Sequence, residues 1–140
     1  MKQQVLILCT GNSARSQMAE GLLRSLAGER YDVYSAGSAP SHVHPLAIQA
    51  MEQHGLDISG QRSKHLSEYL EREFDFVITV CDNAAETCPV FPGPARRIHW
   101  SFPDPAAFEG SEEEKLAGFI QIRDDIEAHF RSWLAGESIT

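Results

Sequence analysis

Apolar positions along the chain fall into two alternating rhythms. Val5-Leu6-Ile7-Leu8 is a short unbroken apolar run rich in β-branched residues, the pattern of a strand buried on both faces. Met18, Leu22, Leu23 and Leu26 then recur at helical spacing, and Tyr31–Gly37 returns to a strand that closes on glycine. Strand, helix and strand within about 35 residues predict a right-handed parallel βαβ unit. After the loop Ala39-Pro40-Ser41, Pro45 opens a helix over 45–52 that Gly55 ends, the stretch Asp57–Lys64 is turn-rich, and a short helix is expected over 66–70. Phe74–Val80 reads as a third strand running directly into Cys81. Arg96–Trp100 reads as a fourth, placed at a sheet edge by the prolines before it. From Glu112 to Leu134, the spacing of Leu116, Phe119, Ile120, Ile126, Phe130 and Leu134 predicts one long amphipathic helix that covers a sheet face. The expected fold is α/β: an open four-stranded parallel sheet with helices on both faces, in one domain spanning 1–140. Ligands on such sheets bind beyond the carboxyl ends of the strands, where Cys9 and Cys81 both fall.

Composition narrows the function. With 140 residues, 42% hydrophobic and 23% charged, the chain buries a core without disulfide staples and has no repeat, linker or low-complexity stretch. Its net charge of −8 argues against nucleic-acid and anionic-membrane partners, so any anion must be bound locally. The apolar run after Met1-Lys2-Gln3-Gln4 is too short for a signal peptide, and no apolar span reaches about eighteen residues, so a cytoplasmic location is expected. Three cysteines in a reducing compartment fit catalysis better than stapling.

Between the first strand and first helix stands Cys9-Thr10-Gly11-Asn12-Ser13-Ala14-Arg15-Ser16. A strand turning through Gly, Asn and Ser into a helix leaves backbone N–H groups pointing at one spot, with the positive end of the helix dipole behind them. That is a cradle for a tetrahedral oxyanion, with a thiolate on one side and the Arg15 guanidinium on its oxygens. Such surroundings are expected to lower the Cys9 pKa from about 8.5 to about 4–7. The plainer alternative is a structural cysteine at a strand end with a surface arginine nearby.

Cys81 and Cys88 bracket a second candidate. If Asp82–Thr87 were helical, the two sulfurs would share a face but stand about 10 Å apart along the axis. A disulfide needs Cα atoms roughly 4.4–6.8 Å apart, so bonding them requires the segment to unwind or loop out. The plain alternative is two small buried residues. His42, His44, His54, His65, His99 and His129 show no spacing with the cysteines that would make a zinc site, so no metal or other cofactor is expected. Glu112-Glu113-Glu114 complements a helix dipole. Asp104 before Pro105 is, on its own, an ordinary turn starter.

The spacing Cys9-x5-Arg15-Ser16, opening the chain right after a strand, resembles the low-molecular-weight tyrosine phosphatases and the arsenate reductases built on the same flavodoxin-like topology. Cys81, Cys88 and the stretch His99-Trp100-Ser101-Phe102-Pro103-Asp104-Pro105-Ala106 extend the likeness to the thioredoxin-coupled arsenate reductase branch over nearly the whole chain. The resemblance implies that Cys9 attacks arsenate held by Arg15 and the loop amides, that Asp104 acts as general acid, and that Asn12 and Ser16 support the loop and thiolate. It further implies a transient Cys9–Cys81 disulfide followed by Cys81–Cys88, which thioredoxin reduces; phosphate and sulfate would bind as arsenate analogues, and the protein would be a monomer. A phosphotyrosine phosphatase working through a Cys9 phosphocysteine needs only Cys9, Arg15 and Asp104. In that branch an aromatic commonly follows Asp-Pro, where this chain has Ala106-Ala107. A non-catalytic anion- or partner-binding module is opposed by the intact Cys9, Arg15 and Asp104. Some relatives in the resembling family hold a potassium ion beside the loop; three of its positions are Asn12, Glu20 and Ser35 here, but the fourth is Lys64, whose ammonium would repel a cation and either occupies the ion's place or simply points to solvent.

Overall fold

The structure is a computed structural model describing residues 2–82, 84, 88, 91–93 and 95–139. Strands β1 (Gln3–Cys9), β2 (Tyr31–Gly37), β3 (Phe76–Thr79) and β4 (Arg96–His99) form one parallel sheet in the order β2-β1-β3-β4. Among the described residues three α-helices, α1 (Arg15–Ala27), α2 (Pro45–Glu52) and α3 (Glu112–Ile139), accompany it, with 3₁₀ turns at Leu66–Tyr69 and Pro105–Ala107. This is the expected open, flavodoxin-like sheet, with β4 at its edge. Strand β3 is shorter than its apolar run, and α3 runs beyond Leu134. Among the described residues no helix is long and apolar enough to cross a membrane.

The unbroken apolar run of β1 has its cause in burial on both sides: Val5, Leu6 and Ile7 are fully buried between β2 and β3. Alternation along β2 shows the two faces. Tyr31 packs on Phe76 and Trp133, whereas Tyr34, three residues on, packs on Tyr69 and Phe74. Helices α1, α2 and α3 pack against one another on the Trp133 side. The 3₁₀ turn Leu66–Tyr69, with Phe74 and Phe91, covers the Tyr34 side. Buried Arg123 of α3 donates to Ala50 O at 2.7 Å, satisfying a carbonyl near the carboxyl end of α2.

From β1 the chain crosses to β2 on one side and later to β3 on the other, so the carboxyl ends of β1 and β3 flank the point where the order reverses. Val80 N donates to Leu8 O at 2.9 Å and extends the pairing past β3, which sets Cys81 beside Cys9. Trp100 N to Thr79 O and Phe102 N to Val80 O then run the segment after β4 along the same edge, toward Asp104. Gly37 closes the arrangement at the end of β2: a Cβ there would lie 2.4 Å from Thr10 O and 2.7 Å from Cys9 O. Gly37→Ala is therefore expected to push the Cys9 loop outward and cost about 1–3 kcal/mol. Urea unfolding measures this, and an unchanged midpoint would mean that the contact carries no constraint.

Candidate active site

The carbonyls of residues 10 to 14 all face away from the cradle. Thr10 O accepts from Ala39 N, Gly11 O from Ser41 N and Ser63 Oγ, Asn12 O from Gln17 Nε2, Ser13 O from His44 N, and Ala14 O from Met18 N. In a trans peptide the N–H points opposite to the C=O, so tying these oxygens outward turns the amides of residues 11 to 15 inward. Asn12 makes the tight bend at φ 45°, a conformation that asparagine tolerates better than most residues. Among the described residues, no side chain caps the first turn of α1 and no acidic residue lies in it, which leaves its positive end to an anion.

Beneath the loop a buried polar network holds this shape. Asn12 Nδ2 donates to Ser16 Oγ at 2.8 Å and Ser35 Oγ at 2.9 Å, and Asn12 Oδ1 accepts from Lys64 N at 2.9 Å. Gln17, fully buried, also reaches Arg62 O at 2.9 Å, and Gln61 Nε2 donates to Gln17 Oε1 at 2.7 Å. Every polar side chain here has partners, as a buried network requires. Gln17 and Gln61 were not anticipated from the sequence; each reads there as an ordinary polar residue.

A cavity of about 100 Å³ lies above the loop, lined by Cys9, Gly11, Ser13, Ala14, Arg15, Asp104 and Ala106. Arg15 Nη1 donates to Phe102 O at 3.0 Å, tying the guanidinium to the segment that carries Asp104. One Asp104 oxygen accepts from Ala106 N at 3.0 Å and caps the 3₁₀ turn. Thus Cys9, Arg15 and Asp104, 95 positions apart at the extremes, meet at one small cavity; Thr10, Asn12 and Ser16 serve its wall and underside.

All three cysteines are free, and they cluster. The thiols of Cys9 and Cys81 act on each other's charge, and Cys88 joins Cys9, Leu8, Ser38, Leu66 and Ala84 around a second, very small cavity. Cys9 lowers the Cys81 pKa to about 5, with help from the Thr10 hydroxyl at 3.4 Å and the amides of Ala84 and Thr10, against the opposing effect of burial. Cys9 moves the other way: Cys81 and burial raise it, against Arg15 and the Gly11 amide. The expected lowering at Cys9 is thus corrected, because the donors around Cys81 draw the charge of the pair to that sulfur. Burial raises the Cys88 thiol, and Arg97 nearby opposes the rise. Of the helix considered over Asp82–Thr87, Asn83 and Ala85 to Thr87 lie outside the described residues.

Residues 4–140 match the family model described as low molecular weight phosphotyrosine protein phosphatase. The chain belongs to this family. Within it, the arsenate reductase of Halalkalibacterium halodurans is 47% identical over 125 residues, covering 89% of this chain and 90% of that protein. A solved structure described as an arsenate reductase in the phosphate binding state superposes with TM-score 0.76 at 33% identity, covering 97% of this chain and 98% of the other. The thioredoxin-dependent arsenate reductase of Corynebacterium glutamicum superposes with TM-score 0.70 at 31% identity, covering 96% of this chain and 63% of that one.

In this member of the phosphatase family, Lys64 is buried rather than solvated. Its Nζ lies 3.7 Å from Glu20 Oε1 and donates to Arg62 O at 2.8 Å, while Ser35 Oγ donates to the same Glu20 oxygen. Asn12, Glu20 and Ser35 do converge, but the ammonium group already supplies the positive charge, so the set does not fit an added potassium ion. Melting temperature is expected to be the same in sodium and potassium chloride at equal ionic strength. Lys64→Asp, which leaves Glu20 facing a like charge, should cost about 3–5 kcal/mol in sodium and recover in potassium. A potassium-stabilised parent would contradict this. The thiol pair makes a separate prediction: ultraviolet thiolate absorbance should develop with a midpoint near about 5 and vanish in Cys81→Ser. A first thiolate only near the ordinary value of about 8.5 would contradict the lowering at Cys81.

Proposed function

We propose that this protein reduces arsenate to arsenite through Cys9, Cys81 and Cys88, with electrons from thioredoxin, acting as a monomer in the cytoplasm. The observation that carries the reading is the clustering of three free thiols at the carboxyl edge of β1 and β3, where phosphoester hydrolysis would use one. The arsenate reductases among its relatives and the thioredoxin-dependent structural neighbour support the same reading.

Arsenate enters the loop cavity, its oxygens met by the inward amides and Arg15, each charge-assisted bond contributing about 1.5–3 kcal/mol. Cys9 passes its proton to the Cys81 thiolate and attacks arsenic, while Asp104 protonates the departing oxygen, which leaves as water. Cys81, having lost that proton again, attacks the Cys9 sulfur; the S–As bond breaks, its electron pair stays on arsenic, and arsenite departs. Arsenic has gained two electrons and the two sulfurs have lost two. Cys88 then displaces Cys9 from Cys81, and the dithiol of thioredoxin reduces the Cys81–Cys88 disulfide.

Cys9→Ser should abolish arsenate reduction and any hydrolysis of aryl phosphates. Cys88→Ser should retain one arsenite per chain and lose repeated turnover, as measured by arsenate-dependent NADPH oxidation with thioredoxin and its reductase. Parent-like turnover of Cys88→Ser would defeat the three-thiol relay.

A further inference from the structure

The third step of the relay proposed above needs a thiolate at Cys88, and what makes it lies beyond that reading. Cys88 is half-buried. It lines a cavity of about 140 Å³ on the β4 side of the sheet, together with Val77, Thr79, Arg97, Ile98 and His99. The His99 ring in that cavity is held at both nitrogens: Nδ1 lies 2.8 Å from Thr79 Oγ1, and Nε2 lies 3.0 Å from Asp82 Oδ1. Asp82 is a carboxylate, which only accepts, so Nε2 carries the hydrogen that points at it. Nδ1 is then the open acceptor, and the Thr79 hydroxyl donates to it. Thr79 and Cys88 line the same cavity.

We propose that His99, oriented by Asp82, takes up the Cys88 proton through the Thr79 hydroxyl as Cys88 attacks the Cys9–Cys81 disulfide. The S–H bond of Cys88 breaks, its proton passes to Thr79 Oγ1, and the Thr79 hydrogen moves to His99 Nδ1. The Cys88–Cys81 bond forms as the Cys9–Cys81 bond breaks, and the electron pair of the broken bond leaves on Cys9. No outside oxidant or reductant enters. Burial raises the Cys88 thiol, which is why a proton acceptor matters to this cysteine and not to Cys81, whose thiolate is already favoured. Among the described residues, the charged and titratable groups around His99 are Asp82 and Cys88, Arg97 of its own strand, and Arg15, whose charge reaches Asp82. His99 is more than one-third exposed, so the proton has a route to solvent.

The test uses the full-length reduced protein, one addition of arsenate, no thioredoxin, and acid-quenched alkylation with mass mapping of disulfides across the neutral pH range. In the parent, the rate of Cys81–Cys88 formation should rise with pH to a plateau. In His99→Gln the Cys9–Cys81 disulfide should accumulate, with its conversion slowed about 100-fold and rising with pH without that plateau. Asp82→Asn, which keeps the ring but removes its counter-charge, should move the plateau to lower pH. Parent rate and pH profile in His99→Gln would overturn the proposal. Cys88→Ser run alongside must trap Cys9–Cys81; if it does not, the relay itself is wrong, which separates the two failures.

Discussion

Five consecutive outward carbonyls are the constraint on which this site depends. Free peptides have no reason to aim successive N–H groups at one point, and doing so leaves each oxygen in need of a donor. Here the donors come from Ala39, Ser41 and His44 on the loop after β2, from Ser63, from Gln17 and from the first turn of α1. The loop after β2 reaches this position because Gly37, having no Cβ, lets β2 end in contact with the Cys9 and Thr10 carbonyls. A cradle for an anion is thus formed before the anion arrives, and a chain of net charge −8 can attract one only through such local order.

Around that cradle the three thiols differ in the work their surroundings do. Cys81 is favoured as a thiolate by its neighbour Cys9, the Thr10 hydroxyl and the amides of Thr10 and Ala84, Cys81 and burial raise Cys9 against the opposing charge of Arg15, and Cys88 is set back beside His99 and Arg97. Arg15 is tied to the segment leading to Asp104 through its bond to Phe102 O.

Much of the fold was legible because β1 is central: only a strand covered on both faces reads as an unbroken apolar run, and glycine or proline marks its successors. The meeting of Cys9, Arg15, Asp104, Cys81 and Cys88 also followed, through the rule for carboxyl ends and the family resemblance. What sequence reasoning missed depends on contacts across long separations. Gln17 and Gln61 form their pair 44 positions apart, and Thr79, Asp82 and His99 align only once β4 lies beside β3. The Cys9 thiol was misjudged for the same reason: its positive surroundings were readable, but the competing Cys81 sulfur was not placed close enough to take the charge. Lys64, singled out as a departure from the resembling family, does turn inward to Glu20.

The central claim is that arsenic is reduced by the protein's own sulfurs, with the oxidising equivalents delivered to one pair. Reduced protein freed of small thiols and mixed with excess arsenate in the absence of any donor measures this directly, through the arsenite released per chain and the disulfide formed. The account predicts one arsenite per chain, matched by one disulfide that maps to Cys81 and Cys88. Arsenite in excess of one per chain without a donor, or arsenite formed with all three cysteines still reduced, would contradict it.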